Sequence, residues 1–464
     1  MYPLLQLSLQ YLHQHSKQPL GSPEDPKIFK QNIDHFAFNA NRFKTFNQRY
    51  FINELFITNP TQIDTALLKI GAEDTVHSAP GGNLTHFNLL GELSLKFNAP
   101  IFELEHRFYG ESQPFAEDDN PLKTENLKYL SARYAIADLV NFVTKIDQQY
   151  CAGLGMTKVP GKTCLKWMVI GGSYAGAVSA WIAQQHPHLF AATISSSGVV
   201  NVKYENPEFD THTYAAAGTP CAQAYVHSMR EIEKVTESGD DKYLDLFQAN
   251  RKNLPDFYYF LADTSLMAIQ YGSWKEMCQN NLQQAWSKSS DVTEAFVSYL
   301  KQNYEYKYYD RDFLKKDEMT LDMNRQWWYQ TCTEFAYYQP APKYNNIRSQ
   351  HVTMQWHLDI CQYIFDLQLG DPTERTNNYF GNILVYGENT FFSNFWQDIW
   401  HILGITKQTI NVKTENIGYI NSRDSGHCQD IHLYTDNDPE ALKTLRQKEI
   451  QFVSEKFFEW TQRE

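Results

Sequence analysis

Between Ala66 and Val200 the chain repeats one rhythm, and that rhythm narrows its fold more than any other feature. The apolar run "TALLKI" ends at Gly71. "FNLLGELSLKFN" follows, with Leu89, Leu90, Leu93 and Leu95 at near-helical spacing. "APIFELEHRFYG" reads as the next strand. "LSARYAIADLVNFVTKI" puts Ala132, Ala135, Ile136, Leu139, Val140 and Val143 on one helical face. "LKWMVIGGSYAG" again runs from strand to helix, and "FAATISSSGVV" is again a strand. Alternation of this kind predicts an α/β fold with a mainly parallel sheet. Ligands of such sheets gather at the carboxyl ends of the strands. Ahead of this region, Gln31 to Ile57 alternates loosely and predicts strands and a hairpin.

The rhythm breaks near Val202. Helical stretches such as "AQAYVHSMREIEKV" and "DVTEAFVSYLKQNYE" then dominate. The α/β pattern returns with "GNILVYGENTFFSN", "QTINVKTENIGYINSRDSG" and a terminal amphipathic helix. The expected organisation is a core of residues 30–200 and 378–464, interrupted by a helical insertion over 201–377. A chain of 464 residues has room for both.

Composition excludes some partners. The formal net charge is −13, which disfavours nucleic acid, since phosphate binding needs a basic face. No stretch approaches the roughly 18 uninterrupted apolar residues of a membrane helix, so no membrane span is expected. The seven cysteines form no Cys-x-x-Cys pair, so no structural zinc site is expected, and no other signal indicates a metal or an organic cofactor. Cys151 and Cys164 bracket a Gly-rich segment and suit a local disulfide in an oxidising compartment. Asn83-Leu84-Thr85 is a glycosylation sequon for a secreted chain. The N-terminal "MYPLLQLSLQYLHQHSKQPLG" reads as a weak secretory signal, without a basic start or a long apolar stretch.

"VIGGSYAGAVSAW" carries the chemistry. A nucleophile on a sharp strand-to-helix turn needs neighbours without bulk, because the turn strains the backbone. Gly171 and Gly172 precede Ser173, and Ala175 and Gly176 follow Tyr174. The pattern departs from Gly-x-Ser-x-Gly only at Ala175. A serine needs a base, and the base needs an orienting acid. His427, in "INSRDSGHCQDIH", follows a late apolar run and a Ser-Gly loop, and His432 is its neighbour and competitor. For the acid, the residues alone leave Glu388 and Asp398 open.

Five stretches in chain order resemble one serine peptidase family, that of lysosomal Pro-X carboxypeptidase, dipeptidyl peptidase II and thymus-specific serine protease. They are "QNIDHF" with "TFNQRY", "EHRFYGES", "GGSYAG", "WWYQTCTEFAYYQ" and "GHCQDIH". The resemblance implies an α/β-hydrolase core carrying a large helical insertion. It also implies a Ser173–Asp398–His427 triad. The family pattern Asn-Gly-x-x-Asp-Pro-Trp, followed by Leu-Gly, matches "NFWQDIWHILG" at Asn394, Asp398, Trp400, Leu403 and Gly404. Phe395 stands in place of the Gly and Ile399 in place of the Pro, and those two residue types shape turns.

The implied activity is exopeptidase cleavage next to proline, of either Pro-X carboxypeptidase or dipeptidyl peptidase type, with peptides carrying proline near a terminus as substrates. A lysosomal or extracellular location is implied too, and assembly as a homodimer is left open. Backbone N–H groups of Tyr174 and Gly71 are candidates for the oxyanion. Trp328, in an aromatic segment, is a candidate wall for proline. Glu105 and Glu334 are candidates for a substrate amine, and Arg107 and Arg325 for a substrate carboxylate. The competing readings are an esterase or lipase on the same fold, and a homologue that binds without cleaving.

Overall fold

The computed structural model describes residues 26–38, 43–155, 163–272, 274–288, 291–317, 324–344, 347–385, 387–410 and 416–462. The N-terminal segment read as a weak signal lies outside them. Among the described residues ten strands appear in chain order: β1 Lys27–Asn32, β2 Thr45–Asn53, β3 Thr65–Ile70, β4 Ile101–Leu104, β5 Lys166–Gly172, β6 Phe190–Ser196, β7 Lys203–Glu205, β8 Ala336–Tyr338, β9 Thr390–Phe395 and β10 Ile417–Ile420. Eight of them form one sheet in the order β1-β2-β4-β3-β5-β6-β9-β10. The pairs β1–β2 and β2–β4 are antiparallel, and the rest of that sheet is parallel. The expected fold, a mainly parallel α/β sheet with a large helical insertion, is the fold observed.

Side-chain alternation explains the layers. Along β3, Leu67 faces one core and Leu68 the other; along β5, Met168 and Ile170 face the first and Val169 the second. Both faces are therefore buried, as a parallel sheet requires. One face takes the helices Ala132–Gly153 and Tyr174–Gln185. The other takes Leu89–Phe97 and the terminal helix Glu440–Gln462, through Leu89, Leu93, Leu442, Leu445 and Val453. Local signals set the helix starts. Asn88 accepts from the N–H groups of Leu90 and Gly91, and Ser131 accepts from that of Tyr134.

Between β6 and β9 the described chain is mainly helical. Its longer helices are Glu208–Ala217, Thr219–Glu237, Leu254–Gln270, Val292–Asn303 and Met354–Phe365. Two disulfides, Cys221–Cys278 and Cys332–Cys361, tie this region together, and Cys151–Cys164 closes the local loop expected from the sequence.

One strand is placed differently from its sequence reading. In "GNILVYGENTFFSN" the apolar Asn382–Val385 forms a short helical turn, and the strand begins only at Thr390. Gly381, with a positive φ of 94°, ends the preceding helix and turns the chain there.

Candidate active site

Ser173 stands between β5 and the helix Tyr174–Gln185, at φ 60° and ψ −125°. A non-glycine residue in this strained region is a functional signal. Its small neighbours explain how the turn is tolerated. A Cβ on Gly171 would lie 2.0 Å from the Ala175 carbonyl oxygen, and one on Gly176 would lie 2.6 Å from that of Ser196. Ala175 is 1% exposed and fits in place of the usual glycine. The N–H of Ser173 donates to the Ser196 carbonyl at 3.0 Å, which fixes the elbow to the neighbouring strand.

The loop after β10 folds over this elbow. A Cβ on Gly172 would meet Cys428 Sγ at 2.9 Å, and the Cys428 N–H donates to Ser197 Oγ at 3.0 Å. His427, the residue before, is 2% exposed. Its Nδ1 lies 2.7 Å from Asp398 Oδ2, as an ion pair whose N–H is not well aligned on the oxygen. Catalytic hydrogen bonds of this kind commonly align only around bound substrate. Burial pulls the His427 ring toward neutrality, but the Asp398 carboxylate and Cys428 outweigh it and leave its pKa well above the usual histidine value.

Asp398 follows β9, at the same sheet edge as Ser173, and is fully buried. Its Oδ1 accepts from the Trp400 N–H at 3.0 Å, so it caps the short turn Ile399–Leu403. The Phe395 and Ile399 replacements leave this turn formed. Phe395 ends β9 with its ring buried, and its carbonyl accepts from the Asp398 N–H at 3.2 Å. Ile399 opens the turn where a proline would have no donor to lose. Asn394 Nδ2 donates to the Ile405 carbonyl at 2.7 Å and closes the segment. Glu388 precedes β9 and so lies toward the opposite edge of the sheet. His432 faces the terminal helix, where Arg446 donates to its carbonyl at 3.3 Å; burial and that charge push it down to about 4.

The other candidates divide. The Tyr174 N–H opens the first turn of the elbow helix, where donors have no partner within the helix. Gly71 is a correction: its N–H donates to the Leu104 carbonyl at 3.0 Å and is used in the sheet. Glu105 is likewise committed. It pairs with Arg49 and accepts from the Val76 N–H at 3.0 Å, the Glu111 N–H at 3.1 Å and Ser112 Oγ at 2.7 Å. Glu334 accepts the Ala132 N–H at 3.1 and 3.2 Å, at the start of a helix where negative charge is favoured. Burial still pushes Glu334 up to about 8. Arg107 makes a two-pronged pair with Asp138 at 2.6 Å in each arm, and Arg325 donates to the carbonyls of Leu122, Leu314, Lys315 and Ile364. Trp328 lines an aromatic cavity with Tyr259, Trp327, Tyr337, His357 and Trp400, and Trp400 is two residues from Asp398.

Sequence reasoning missed two groups. Glu73 is a fully buried carboxyl just past the end of β3, in the segment "GAEDT" that begins at Gly71. Its place after a strand on the ligand edge was a usable signal. The helix end Ile269–Gln270 was not readable. The His427 N–H donates to the Gln270 carbonyl at 2.9 Å, and Gln397 Nε2 donates to that of Ile269 at 3.1 Å.

The strand order, the antiparallel second strand and the elbow after β5 define an α/β-hydrolase. The family follows from comparison with known proteins. The model of the serine carboxypeptidase S28 family matches residues 31–449, and the chain belongs to that family. It is a serine peptidase. A probable serine protease of Arabidopsis thaliana is 32% identical over 412 residues, covering 87% of this chain and 80% of that protein. The thymus-specific serine protease of Mus musculus is 26% identical, covering 91% and 85%. The lysosomal Pro-X carboxypeptidase of Mus musculus is 24% identical, covering 94% and 92%. Among solved structures, a proline iminopeptidase of Mycobacterium smegmatis matches with a TM-score of 0.38 and 11% identity, over 93% of this chain and 98% of that one.

Proposed function

We propose that the protein is an exopeptidase that cleaves peptide bonds next to proline through a Ser173–His427–Asp398 triad. One observation carries the reading: a serine on a strained elbow shares a sheet edge with a buried His427–Asp398 pair 2.7 Å apart. Ser173 Oγ attacks the scissile carbonyl. His427 takes its proton and returns it to the leaving amine, which departs as the acyl-enzyme forms. Water then attacks the acyl-enzyme, with His427 again as base. Asp398 holds the ring and supports its positive charge. The Tyr174 N–H faces the developing oxyanion, and the next amide after Gly71, that of Ala72, takes the place first given to Gly71.

Proline specificity is supported by the aromatic cavity of Tyr259, Trp328, Tyr337 and Trp400, since a compact apolar ring suits aromatic walls. The three disulfides support an oxidising location, lysosomal or extracellular. A fluorophosphonate probe tests the nucleophile, and short peptides with proline at defined positions test the specificity. Labelling at Ser173 together with cleavage only next to proline is the expected result. A folded protein that takes no label at pH 5 or pH 7 is not an enzyme of this kind.

A further inference from the structure

Glu73 takes no part in the acyl transfer just described, yet it belongs to the same site. β3 and β5 are parallel neighbours with Lys69 opposite Ile170. The chain therefore leaves β3 beside the elbow, and Glu73, three residues past the end of β3, interacts electrostatically with Tyr174 and His427. Adjacent strands lie about 4.8 Å apart. One or two extended peptide residues, at roughly 3.4 Å each, span such a distance.

The carboxyl is built for a partner that the protein does not supply. Glu73 is fully buried, and neither of its oxygens has a hydrogen-bond partner among the described residues. A charge on it would act on Tyr109, Tyr174, Tyr271 and Tyr337, the first two of them at the elbow side of the site. Burial pushes its pKa up to about 7, although its own backbone N–H and the His427 charge draw it down. Burying an unpaired carboxylate is costly, and an ammonium group delivered by a ligand removes most of that cost.

Among the described residues, four buried arginines are already committed to partners within the protein. Arg49 is paired with Glu105, Arg107 with Asp138 and Arg348 with Asp210, while Arg325 is surrounded by carbonyls.

We propose that Glu73 binds the free α-amino group of the substrate, so that the site releases one or two residues from the amino terminus of a peptide. The proposal rests on the reading of Ser173 as the nucleophile of a proline-directed exopeptidase. It makes Glu73 a specificity residue with no role in proton transfer. A blocked amino terminus would leave the buried carboxylate unpaired and lose the pairing energy.

The test compares Xaa-Pro-aminomethylcoumarin substrates with free and with N-acetylated amino termini, on wild type and on Glu73→Gln, with fluorophosphonate labelling of each sample. Wild type is expected to prefer the free amine by at least about 100-fold in kcat/KM. Glu73→Gln is expected to lose about that factor on the free substrate, and to leave the acetylated rate and the labelling unchanged. Three results overturn the proposal: labelled wild type that cleaves both forms equally, labelled wild type that cleaves neither, and a folded, labelled variant that loses both rates together. If the variant does not fold, the wild-type preference decides alone. If Ser173 takes no label, the parent reading fails separately. Calorimetric binding of the free and acetylated dipeptides then tests Glu73 by itself, and equal affinities sink it.

Discussion

The backbone N–H of His427 donates to the carbonyl of Gln270 at 2.9 Å. This bond ties the base to the last turn of the helix Leu254–Gln270, which belongs to the helical region and not to the sheet. The same helix end takes the Gln397 side chain, one residue before Asp398. The ring of Tyr271 meets the His427 ring edge-on at 5.5 Å. The helical region therefore sets the geometry of the two groups that activate the serine.

Gly426 is the sensitive point of that contact. A Cβ there would lie 2.3 Å from the Gln270 carbonyl oxygen, which belongs to backbone and cannot swing aside. Gly426→Ala must then displace His427. A displacement near 1 Å costs about 100-fold in rate, and overpacking costs about 1–3 kcal/mol in stability. Steady-state kinetics with a parallel unfolding curve checks this. A variant as active as wild type would show that the helix end does not position the base.

Asp398 and Glu388 make opposite predictions. Asp398→Asn removes the charge beside His427 Nδ1 and presents the wrong hydrogen-bonding partner. A loss of about 10,000-fold in kcat is expected, as for triads generally. The His427 pKa also falls, because the Asp398 charge is what raises it against burial. Glu388→Ala lies before β9 and should leave kcat within twofold. Rates for both variants on one peptide decide the assignment.

The parallel sheet was legible because most of its strands are short apolar runs that alternate with helical stretches. The elbow was legible because Gly171, Gly172 and Gly176 have no space for side chains. The start of β9 was not. Ile383, Leu384 and Val385 have strand composition, but Gly381 and Asn382, both at positive φ, turn the chain first. Glu105 and Glu334 looked like ligand groups because an isolated glutamate carries no sign of its partner. Arg49 is 56 residues from Glu105 in sequence, and Ala132 is 202 from Glu334. The same distance effect concealed the Gly71 donor, whose acceptor Leu104 lies on the adjacent strand.

The disulfides of the helical region should differ from the local one in what they contribute. Cys221–Cys278 spans 57 residues and Cys151–Cys164 spans 13. Loop-closure entropy gives about 4 kcal/mol for the first and about 3 for the second. Replacing both cysteines of a pair by Ala, and measuring denaturant unfolding, should show the larger loss for Cys221–Cys278. Activity should fall with it, since the helix Leu254–Gln270 lies within that loop and holds His427. An equal loss from both pairs, with activity intact, would separate the disulfide from the site.

Beneath the catalytic loop, Asp430 and Glu449 are neighbouring buried acids whose charges interact. Ser196 Oγ donates to Asp430 Oδ1 at 2.5 Å, and Ser393 Oγ donates to Glu449. Arg446 faces them from the terminal helix, with Nε 2.9 Å from the Asp430 carbonyl. Burial and the Asp430 charge raise Glu449 well above its ordinary 4.5. The folded state thus keeps a proton that the unfolded chain gives up above pH 4.5. Stability from this pair is complete below that pH and is lost as pH rises toward the folded value. The slope is about 1.4 kcal/mol per pH unit while the two states differ by one proton. Buried histidines work the other way: His106 and His432, pushed down to about 4, add stability as pH rises from there to about 6.5. Total stability therefore mixes both signs, and a single variant isolates the pair. Glu449→Gln keeps the size and polarity of the side chain without a titrating proton. Its melting temperature relative to wild type should be higher at pH 8 than at pH 5. A difference that does not change with pH would mean that the pair holds no proton on folding.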